Sequence, residues 1–570
     1  PYMAPEQLFG EADDARTDIY ALGALLFEMT TGKRAFIKER PESLMFAIIN
    51  STAPSVKSLR ANTPDALDRL IAECLRKQPA QRPESAAVVA QALRGIKDGV
   101  PSGALPIPLR DTIRAIAVLP LRNLSNDSSQ EYFADGMTES IISDLAGIKA
   151  LRVISRTSVM AYKGTTKSLP DIARELNVDA VLEGSALLVG NRVRVSVQLV
   201  SARSDDTLWT ERYDRDLEDV LALQSELAEK VARAIAIQLS PVEANQLAKR
   251  DTVNPEAHLE YLKARHVLMS GSIDGTDAAH RYAQRALEID PDYALAWCAL
   301  GDSITWAAVR GLIPPAKAMK EALDAVNKAL EIDPGLADAH ASKGLILTHS
   351  GQMAEGLRSL QRAVELNPGH ASAQNLLGRA YYAYERIPEG LAAIEKSVSL
   401  DPVSMMVYTG AGDGYYFARQ YEKSVFHYRM ALELDKRFDG AHTGLARSLE
   451  ALGRYDEARE EYEEGRRLAG GVAGPSFGLA HLAQASGNET EARRILAELV
   501  EARKTRVISA WGIAVLHASL GDIDEAFKWL ETAIEEKAPG VVTLRVHPRL
   551  DPVRQDPRYW PLVEKVGLAG

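Results

Sequence analysis

The sequence predicts a multidomain, mainly α-helical protein in which one α/β domain lies between two helical parts. Its length of 570 residues is enough for about four domains, and a content of 46% hydrophobic and 25% charged residues is ordinary for a globular chain. A stretch rich in glycine and proline interrupts the pattern at residues 95–108, and the composition shifts again near residues 241–255. In the second half a similar phrase recurs at a fixed interval. The predicted parts are a helical segment at 1–98, a linker at 99–112, an α/β domain at 113–240, a linker at 241–254, helical repeats at 255–538 and a C-terminal cap at 539–570.

Composition and charge exclude several classes of function. The formal net charge is −11 and no segment is strongly basic, so we expect no nucleic acid and no membrane surface as a partner. No apolar run approaches the ~18 residues that a membrane-spanning helix requires. The two cysteines, Cys74 and Cys298, are too few for a disulfide framework, and the histidines lack ligand spacing. We therefore expect no metal site and a reducing, cytoplasmic compartment.

Four phrases in the first segment follow one another at a characteristic spacing. They are Pro-Tyr-Met-Ala-Pro-Glu at 1–6, Asp-Ile-Tyr-Ala-Leu-Gly at 18–23, Thr-Gly-Lys-Arg-Ala-Phe at 31–36, and Leu-Arg-Lys-Gln-Pro-Ala-Gln-Arg-Pro at 75–83. In this order they resemble the lower half of the C-lobe of bacterial-type Ser/Thr protein kinases. The resemblance implies a partial, helical kinase C-lobe at the start of the chain.

The kinase resemblance also implies roles for three residues. Glu6 should pair with Arg82 inside the lobe, and Asp18 should brace the backbone of the catalytic loop; both are structural roles. The glycine-rich loop, the strand lysine and the catalytic aspartate precede the Ala-Pro-Glu phrase in kinases. We therefore expect an inactive fragment that binds no cofactor, whereas an intact parent would use ATP and Mg²⁺. Without an upper lobe, apolar surface should be exposed around Ile19 to Phe27.

The middle segment has the pattern of a mixed α/β domain. Residues 116–119 form a continuous apolar run suited to a buried strand, and residues 193–199 alternate between apolar and polar. Gly190-Asn191 suits a tight turn that joins the alternating strand to residues 186–189. A third strand should pass through Trp209 and Tyr213.

Four phrases in this domain carry a second resemblance. They are 114–121, 132–136, 151–155 and 181–185, and they resemble a TolB-like N-terminal domain. The resemblance implies a domain that bacterial kinases, adenylate cyclases and winged-helix regulators place ahead of helical repeats.

The strongest internal signal is a repeat of 34 residues. Pro334, Pro368 and Pro402 close similar phrases at this interval, and Trp297-x-x-Leu300-Gly301 matches the opening phrase of tetratricopeptide repeats. Small residues should let the two helices of a unit approach closely, and proline should end the second helix. We predict eight repeats that stack into an α-α superhelix. Two columns recur at this interval: a helix column of Gly344, Gly378, Gly412, Ala446, Ala480 and Ala514, and a turn column of Gly351, Gly453, Gly487 and Gly521.

The first helix of each repeat should line a concave groove that binds proteins or peptides. For any one of these residues a merely solvated helix face is the alternative interpretation. A dense cluster of lysine, arginine and asparagine, as used to capture acidic C-termini, is missing. The C-terminal phrases at 547–552 and 556–560 should fold over the last repeat as its cap. The predicted groove residues are Asn375, Arg379, Tyr382, Tyr416, Arg447 and His481.

Two functional hypotheses follow from this organisation. In the first, the parent is a Ser/Thr protein kinase whose TolB-like domain and repeats recruit substrates or regulators. In the alternative, the protein is a non-catalytic scaffold or sensor that acts through protein binding by the repeats. An adenylate cyclase or transcription factor with the same tail is disfavoured, because the kinase phrases occupy the position of those N-terminal modules.

Overall fold

The computed structural model shows a mainly helical chain with one mixed sheet in its middle. The three predicted parts are present and pack against one another, whereas the linker at 99–112 and most of the linker at 241–254 lie outside the described residues. The structure describes residues 2–9, 14–37, 41–83, 85–97, 113–125, 127–202, 206–235, 253–269, 273–309, 313, 315–469, 474–506 and 508–568.

The described part of the kinase-like lobe contains six α-helices around a small apolar core. The longest of them, α2, begins where the Asp14 carboxylate accepts a hydrogen bond from the N–H of Arg16, and it ends at Gly32, whose φ of +71° suits a glycine C-cap. The helices are α1 Pro5–Phe9, α2 Ala15–Thr31, α3 Pro41–Asn50, α4 Val56–Leu59, α5 Asp65–Cys74 and α6 Ala86–Lys97.

The expected apolar surface of this lobe is only partly where the sequence placed it. Ile19 and Phe27 are buried, because the face of α2 that carries them packs against α5, α6 and the loops of the lobe itself. The exposed apolar side chains lie on the other face, where Leu25 is 45% and Met29 is 72% exposed. The expectation of exposed apolar surface is therefore wrong for Ile19 and Phe27, the two ends of the range, and right for Leu25 on the solvent-facing side of α2.

The α/β domain is built on a sheet of order β3-β1-β4-β5-β6, with β2 beside β4. Strand β1 is parallel to β3 and β4, whereas β4, β5 and β6 form an antiparallel meander. The predicted hairpin is confirmed: Gly190 has a φ of +57°, and Val189 pairs with Arg192. The elements are β1 Ala115–Val118, β2 Arg122–Asn123, α7 Glu131–Ala146, β3 Arg152–Val153, α8 Arg156–Met160, α9 Leu169–Glu175, β4 Ala180–Val189, β5 Arg192–Ser201, β6 Thr207–Asp216 and α10 Val220–Ala234.

The described part of the repeat region contains eight antiparallel helix pairs, which we number repeat 1 to repeat 8. The first helix of each pair contacts the first helix of the next, so these helices line the inner face of the superhelix. A Cβ atom at Gly378 would lie 2.6 Å from Ile394 Cγ1 of the paired helix, which explains the small-residue column. The pairs are α11 Pro255–Met269 and α12 Ile273–Ile289, α13 Ala294–Val309 and α14 Pro315–Ile332, α15 Ala337–His349 and α16 Met353–Leu366, α17 Ala371–Ala383 and α18 Ile387–Leu400, α19 Met405–Phe417 and α20 Tyr421–Leu434, α21 Asp439–Ala451 and α22 Tyr455–Leu468, α23 Gly474–Ala485 and α24 Glu489–Ala502, and α25 Ala510–Ser519 and α26 Ile523–Glu535.

The chain after repeat 8 forms two 3₁₀ turns, Pro539–Thr543 and Pro548–Val553, and a short helix, α27 Tyr559–Lys565. Leu562 and Val563 are buried in one cluster with side chains of α25 and α26, so this part covers the apolar end of repeat 8. The residues between the first turn and α27 belong to the same cap, because Leu544, Leu550 and Val553 are buried in that cluster. They run back into the interior of the superhelix and contact repeats 4, 5 and 6.

Hydrogen bonds connect the three parts directly. The Ser158 hydroxyl of the α/β domain donates to Asp401 Oδ1 at the end of repeat 4, at 2.6 Å. The kinase-like lobe contacts the same domain, where the Thr52 N–H donates to the Arg174 carbonyl at 2.9 Å. The lobe and the repeats are therefore both fixed to the α/β domain.

Candidate protein-binding site

The first and the last of the four phrases of the kinase-like lobe meet at one buried ion pair. Arg82 Nη1 donates to Glu6 Oε1 at 2.6 Å, and Arg82 Nη2 donates to Glu6 Oε2 at 2.8 Å. Both residues are 4% exposed. Burial alone would raise the pKa of Glu6, but the hydrogen bonds and charge of Arg82 outweigh it and hold that pKa below its usual value. The bidentate contact joins α1 to the turn that precedes α6.

Every N–H of the Arg82 guanidinium has an acceptor. Besides Glu6, it donates to the carbonyl oxygens of Arg76, Arg16 and Lys77, at 2.7 to 2.9 Å. Such a fully satisfied arginine supports its surroundings and has no donor left for a phosphate. The pair that the kinase resemblance implies is thus present as a structural contact.

Asp18 has a different environment. It lies exposed in the first turn of α2, and within the described residues no hydrogen bond or ion pair is formed by its carboxylate. Its implied role, bracing a catalytic loop, therefore stays a prediction.

The six predicted groove residues do not form an open surface. Tyr382 and Tyr416 are each 2% exposed and His481 is 3% exposed, while Arg379 alone of the six is exposed. The expectation of an open groove is therefore wrong. Two physical reasons apply. Tyr382 packs between helices of repeats 4 and 5, against Gly390 and Gly414. Tyr416 and His481 lie close to His547 and Arg549 of the chain after repeat 8. The two remaining predicted residues, Asn375 and Arg447, are half-buried.

Asn375 and Arg447 are held by neighbouring repeats. The amide of Asn375 packs against Gly410 of repeat 5, where a Cβ would lie 2.6 Å from its Nδ2. Arg447 Nη2 donates to Asp413 Oδ1 at 2.6 Å and to the Tyr428 hydroxyl at 2.9 Å. The guanidinium also lies 4.1 Å from the ring centroid of Tyr416. Arg447 is thus committed to a contact between repeats.

We call residues 544–556 the C-terminal segment. Its central contact is made by Arg549, whose Nη2 lies 2.8 Å from each carboxylate oxygen of Glu450 and donates to the Tyr462 hydroxyl at 3.0 Å. Glu450 and Tyr462 belong to the two helices of repeat 6. Glu450 and Tyr462 form a binding site for one guanidinium group, because a carboxylate and a phenol oxygen lie side by side there.

His547 lies in an aromatic pocket inside the superhelix. Its ring centroid is 6.1 to 6.2 Å from those of Tyr416, Phe417 and Trp511, so repeats 5 and 8 meet around it. Its Nδ1 is buried without a hydrogen-bond partner among the described residues. Burial and the charges of nearby arginines hold the pKa of His547 well below its usual value, so the docked imidazole is neutral. His481 shares this environment, and its pKa is lowered by burial, Arg549 and His547.

Two further contacts lie at the turns between the helices of repeats 4 and 5. Arg545 Nη2 donates to Glu385 Oε2 at 2.7 Å, and Arg419 Nη2 donates to Asp551 Oδ1 at 2.8 Å. Glu385 and Arg419 occupy the turn column that is glycine elsewhere, and both have a positive φ, of +57° and +59°. The sequence patterns predicted no role for Glu385, Arg419 or Glu450. The signal for the first two was present as the interruption of the glycine column.

Two kinds of feature are absent from the described residues: a cluster of metal-ligating side chains and a membrane-spanning helix. None of the described residues form a group of three or more His, Cys, Asp or Glu side chains that could hold a metal ion. Among these residues, no helix combines the length and the apolarity needed to cross a bilayer.

Protein family profiles match three regions of the chain. The protein kinase domain profile matches residues 1–93, and the tetratricopeptide repeat profile matches residues 343–404, 409–473 and 477–541. Residues 1–93 are part of a protein kinase domain, and residues 343–541 are tetratricopeptide repeats. In the middle, residues 112–230 match the second domain of HilA/YgeH-like transcriptional regulators. The resemblance of the α/β domain to TolB-like domains is not confirmed.

Three curated relatives each match part of the chain. A putative adenylate cyclase 3 of Rhizobium meliloti is 40% identical over 197 residues, which are 35% of this chain and 34% of that protein. The DNA damage-responsive serine/threonine-protein kinase RqkA of Deinococcus radiodurans is 37% identical over 89 residues, 16% of this chain and 13% of the kinase. The serine/threonine-protein kinase PknB of Mycobacterium leprae is 27% identical over 191 residues, 32% of this chain and 30% of the kinase. The chain thus spans about a third of these relatives or less.

Solved structures align with parts of the chain at low TM-scores. The crystal structure of MamA aligns with 30% of this chain and 94% of its own at 20% identity and a TM-score of 0.25. PilF of Pseudomonas aeruginosa aligns with 38% of this chain and 94% of its own at 20% identity and a TM-score of 0.31. The human IFIT1 dimer with m7Gppp-AAAA aligns with 56% of this chain and 78% of its own at 15% identity and a TM-score of 0.36.

Proposed function

We propose that the chain is part of a Ser/Thr protein kinase, and that its repeats hold protein partners or substrates for that kinase. The support for the first half is the kinase match at residues 1–93 together with the buried pair of Glu6 and Arg82. The support for the second half is the superhelix of eight helix pairs, a fold built around an extended inner surface.

The observation that carries the proposal is the rigid connection of lobe and repeats through the α/β domain. Arg76 of the lobe lies 3.2 Å from Asp179 at the start of β4, and Ser158 of the same domain donates to Asp401 of repeat 4. A protein bound by the repeats is then held at a fixed position relative to the lobe. Holding a substrate in this way raises its effective concentration at the kinase site.

The test compares two substrates of the complete gene product, one that the repeats hold and one short free peptide. Ser158 is fully buried at the contact with repeat 4, so Ser158→Arg should separate the two parts. We expect this variant to phosphorylate the held protein at least tenfold more slowly and the free peptide at the same rate. Ser129→Arg, at an exposed position of the same domain, is the matched control. Equal rates on the held protein would contradict the proposal.

The same assay separates the kinase from the scaffold hypothesis. If the complete product transfers no phosphate to either substrate but still holds the protein, the scaffold or sensor function is the correct one. For the 570-residue chain itself we expect no labelling by Mg-ATP, because its kinase-like residues have structural roles. Saturable, magnesium-dependent labelling of this chain would contradict that expectation.

A further inference from the structure

Strand β6 forms one edge of the sheet in the α/β domain. It has ten residues, and among the described strands it pairs with β5 alone. The opposite edge strand, β3, is covered by the repeats, because the N–H of Ser155 just after it donates to the Leu400 carbonyl of repeat 4 at 2.8 Å. A free edge of this length presents N–H and C=O groups to which a further strand can add.

The register of β6 with β5 decides which of its backbone groups point outward. The N–H of Leu217, directly after β6, donates to the Asn191 carbonyl at 2.8 Å, and the ladder continues from this pair without a shift to Trp209. Hydrogen-bonded pairs alternate along an antiparallel ladder, so the odd-numbered residues of this stretch bond to β5. The N–H and C=O groups of residues 210, 212, 214 and 216 therefore point away from the sheet, towards the position of a further strand.

The charges of β6 are arranged symmetrically but with opposite sign on the two sides of Tyr213. Arg212 and Asp214 flank it on the solvent face, and Glu211 and Arg215 lie one position further out on the face towards α10. Lys230 of α10 marks that face, since it donates to Glu211 at 2.7 Å and lies over the Tyr213 ring. Arg212 and Arg215 are exposed, and neither forms an ion pair with a described residue. Two guanidinium groups at this edge are thus available to a partner.

This order of charges fits a second β6 strand in one antiparallel register. When Tyr213 lies opposite Tyr213 of the second copy, Arg212 faces Asp214 and Glu211 faces Arg215, each twice because of the two-fold symmetry. The outward backbone groups at 210, 212, 214 and 216 then pair with one another in about eight hydrogen bonds. A shift by two residues puts Arg212 opposite Arg212 in one direction and Asp214 opposite Asp214 in the other, and like charges directly opposite each other are unfavourable. The charges therefore select the register centred on Tyr213.

We propose that two copies of the chain associate through their β6 strands, so that the two sheets continue into each other across a two-fold axis at Tyr213. The contacts of the sheet with repeat 4 and with the kinase-like lobe lie around β3 and the start of β4, away from this edge, so the association leaves them in place. The proposal goes beyond the function proposed for the repeats and does not depend on it. Its consequence is an assembly that carries two kinase-like lobes and two sets of repeats.

Sedimentation velocity of the full chain measures the association. We expect a dimer whose fraction rises with protein concentration in the micromolar range, as is usual for an interface of modest area. Arg212→Asp puts two carboxylates opposite each other at two places, so its association should be at least tenfold weaker. Arg122→Asp, the same change of charge at an exposed position of β2, is the matched control and should associate like the unmodified chain. A monomer at every concentration, or equal association of the two variants, would overturn the proposal.

A disulfide cross-link tests the register and leaves the four central charges unchanged. Thr210 and Asp216 are exposed, and the proposed register puts them opposite each other at a Cα distance of about 5.5 Å, which a disulfide spans. An equal mixture of a Thr210→Cys chain and an Asp216→Cys chain should form a cross-linked dimer on mild oxidation, whereas neither chain should do so alone. The natural cysteines, Cys74 and Cys298, are buried. Cross-linking of the Thr210→Cys chain alone would show another register, and a mixture without cross-links would show that β6 is not the interface; either result would overturn the proposal.

Discussion

Arg549 and Glu450 form a nearly buried ion pair between the C-terminal segment and repeat 6, with Arg549 Nη2 2.8 Å from both carboxylate oxygens. Their side chains are only 15% and 10% exposed. Because a buried arginine without its partner is costly, this contact should help to hold the segment in place, together with the buried side chains of Leu544, Val546, Leu550 and Val553.

Glu450→Gln should loosen the C-terminal segment around Arg549. Removing one partner of a buried pair costs about 3–5 kcal/mol, and the segment can avoid that cost by moving Arg549 into water. Exchange of the amides at 544–550 should therefore become faster, while the thermal unfolding midpoint of the repeats changes little. Glu457→Gln is the matched control, since Glu457 pairs with Arg454 on the outer surface. Unchanged exchange in Glu450→Gln would show that the pair does not hold the segment.

Glu385→Gly and Arg419→Gly together should also loosen the segment, without destabilising the repeats. Each substitution removes the backbone strain of a non-glycine residue at positive φ, which is about 1 kcal/mol. The loss of each half-exposed ion pair costs about 1 kcal/mol or less. The unfolding midpoint in urea should stay within error or rise. The opposite change, Gly453→Glu, puts a side chain at a φ of +75° with nothing to bind and should lower the midpoint. A loss of stability in the double variant would contradict this account.

The attachment of the segment should weaken in mild acid. His547 has a lowered pKa when docked, so the docked state stays neutral where the released histidine, with an ordinary pKa near 6.5, takes up a proton. Attachment is therefore fully present above pH 6.5 and falls by up to about tenfold per pH unit below it. The charged or titratable groups near this ring include Arg447, Arg549, Arg554 and His481.

Hydrogen exchange of residues 544–550 between pH 7.5 and 5.5, corrected for the intrinsic rate, measures this dependence. His547→Gln should remove the contribution of this residue and flatten the profile. A profile of the unmodified chain that is already flat would contradict the neutral, buried state of His547.

Arg82→Ala should destabilise the kinase-like lobe strongly. It leaves the buried Glu6 carboxylate unpaired and three carbonyl groups without their donor, at a cost of about 3–5 kcal/mol. Limited proteolysis should cut residues 2–97 faster while the repeats stay resistant. Arg34→Ala is the control, because Arg34 is exposed and only 3.8 Å from Glu28. Equal proteolysis of the two variants would contradict the supporting role of the buried pair.

Much of the fold could be predicted from local patterns. The 34-residue interval fixes two helices per unit, and alternation at Val193–Leu199 together with Gly190 fixes the hairpin. These features depend on neighbours in the sequence. The kinase phrases likewise placed Glu6 beside Arg82, because a resemblance carries the long-range contact with it.

The state of the inner face could not be predicted in the same way. Periodicity placed Tyr382 and Tyr416 on the inner face of the superhelix. In the structure Tyr382 packs between Gly390 and Gly414 of adjacent helices, and Tyr416 lies against His547, which no periodic pattern indicates. The contact of Arg549 with Glu450 joins positions 99 residues apart, in a segment outside the repeat pattern. The only local sign was the replacement of glycine at 385 and 419, which marks a position under another constraint.

The most direct test of the closed inner face is the exchange of backbone amides in the unmodified chain at neutral pH. The N–H groups of Val546, His547 and Leu550 donate within the 3₁₀ turns, and Val546, His547 and Leu550 are buried by the repeats. Such short turns protect amides only while they are packed. We predict that these three amides exchange at least a hundredfold more slowly than in the free peptide of residues 543–556. Exchange at the rate of the free peptide would show an open groove and contradict the account.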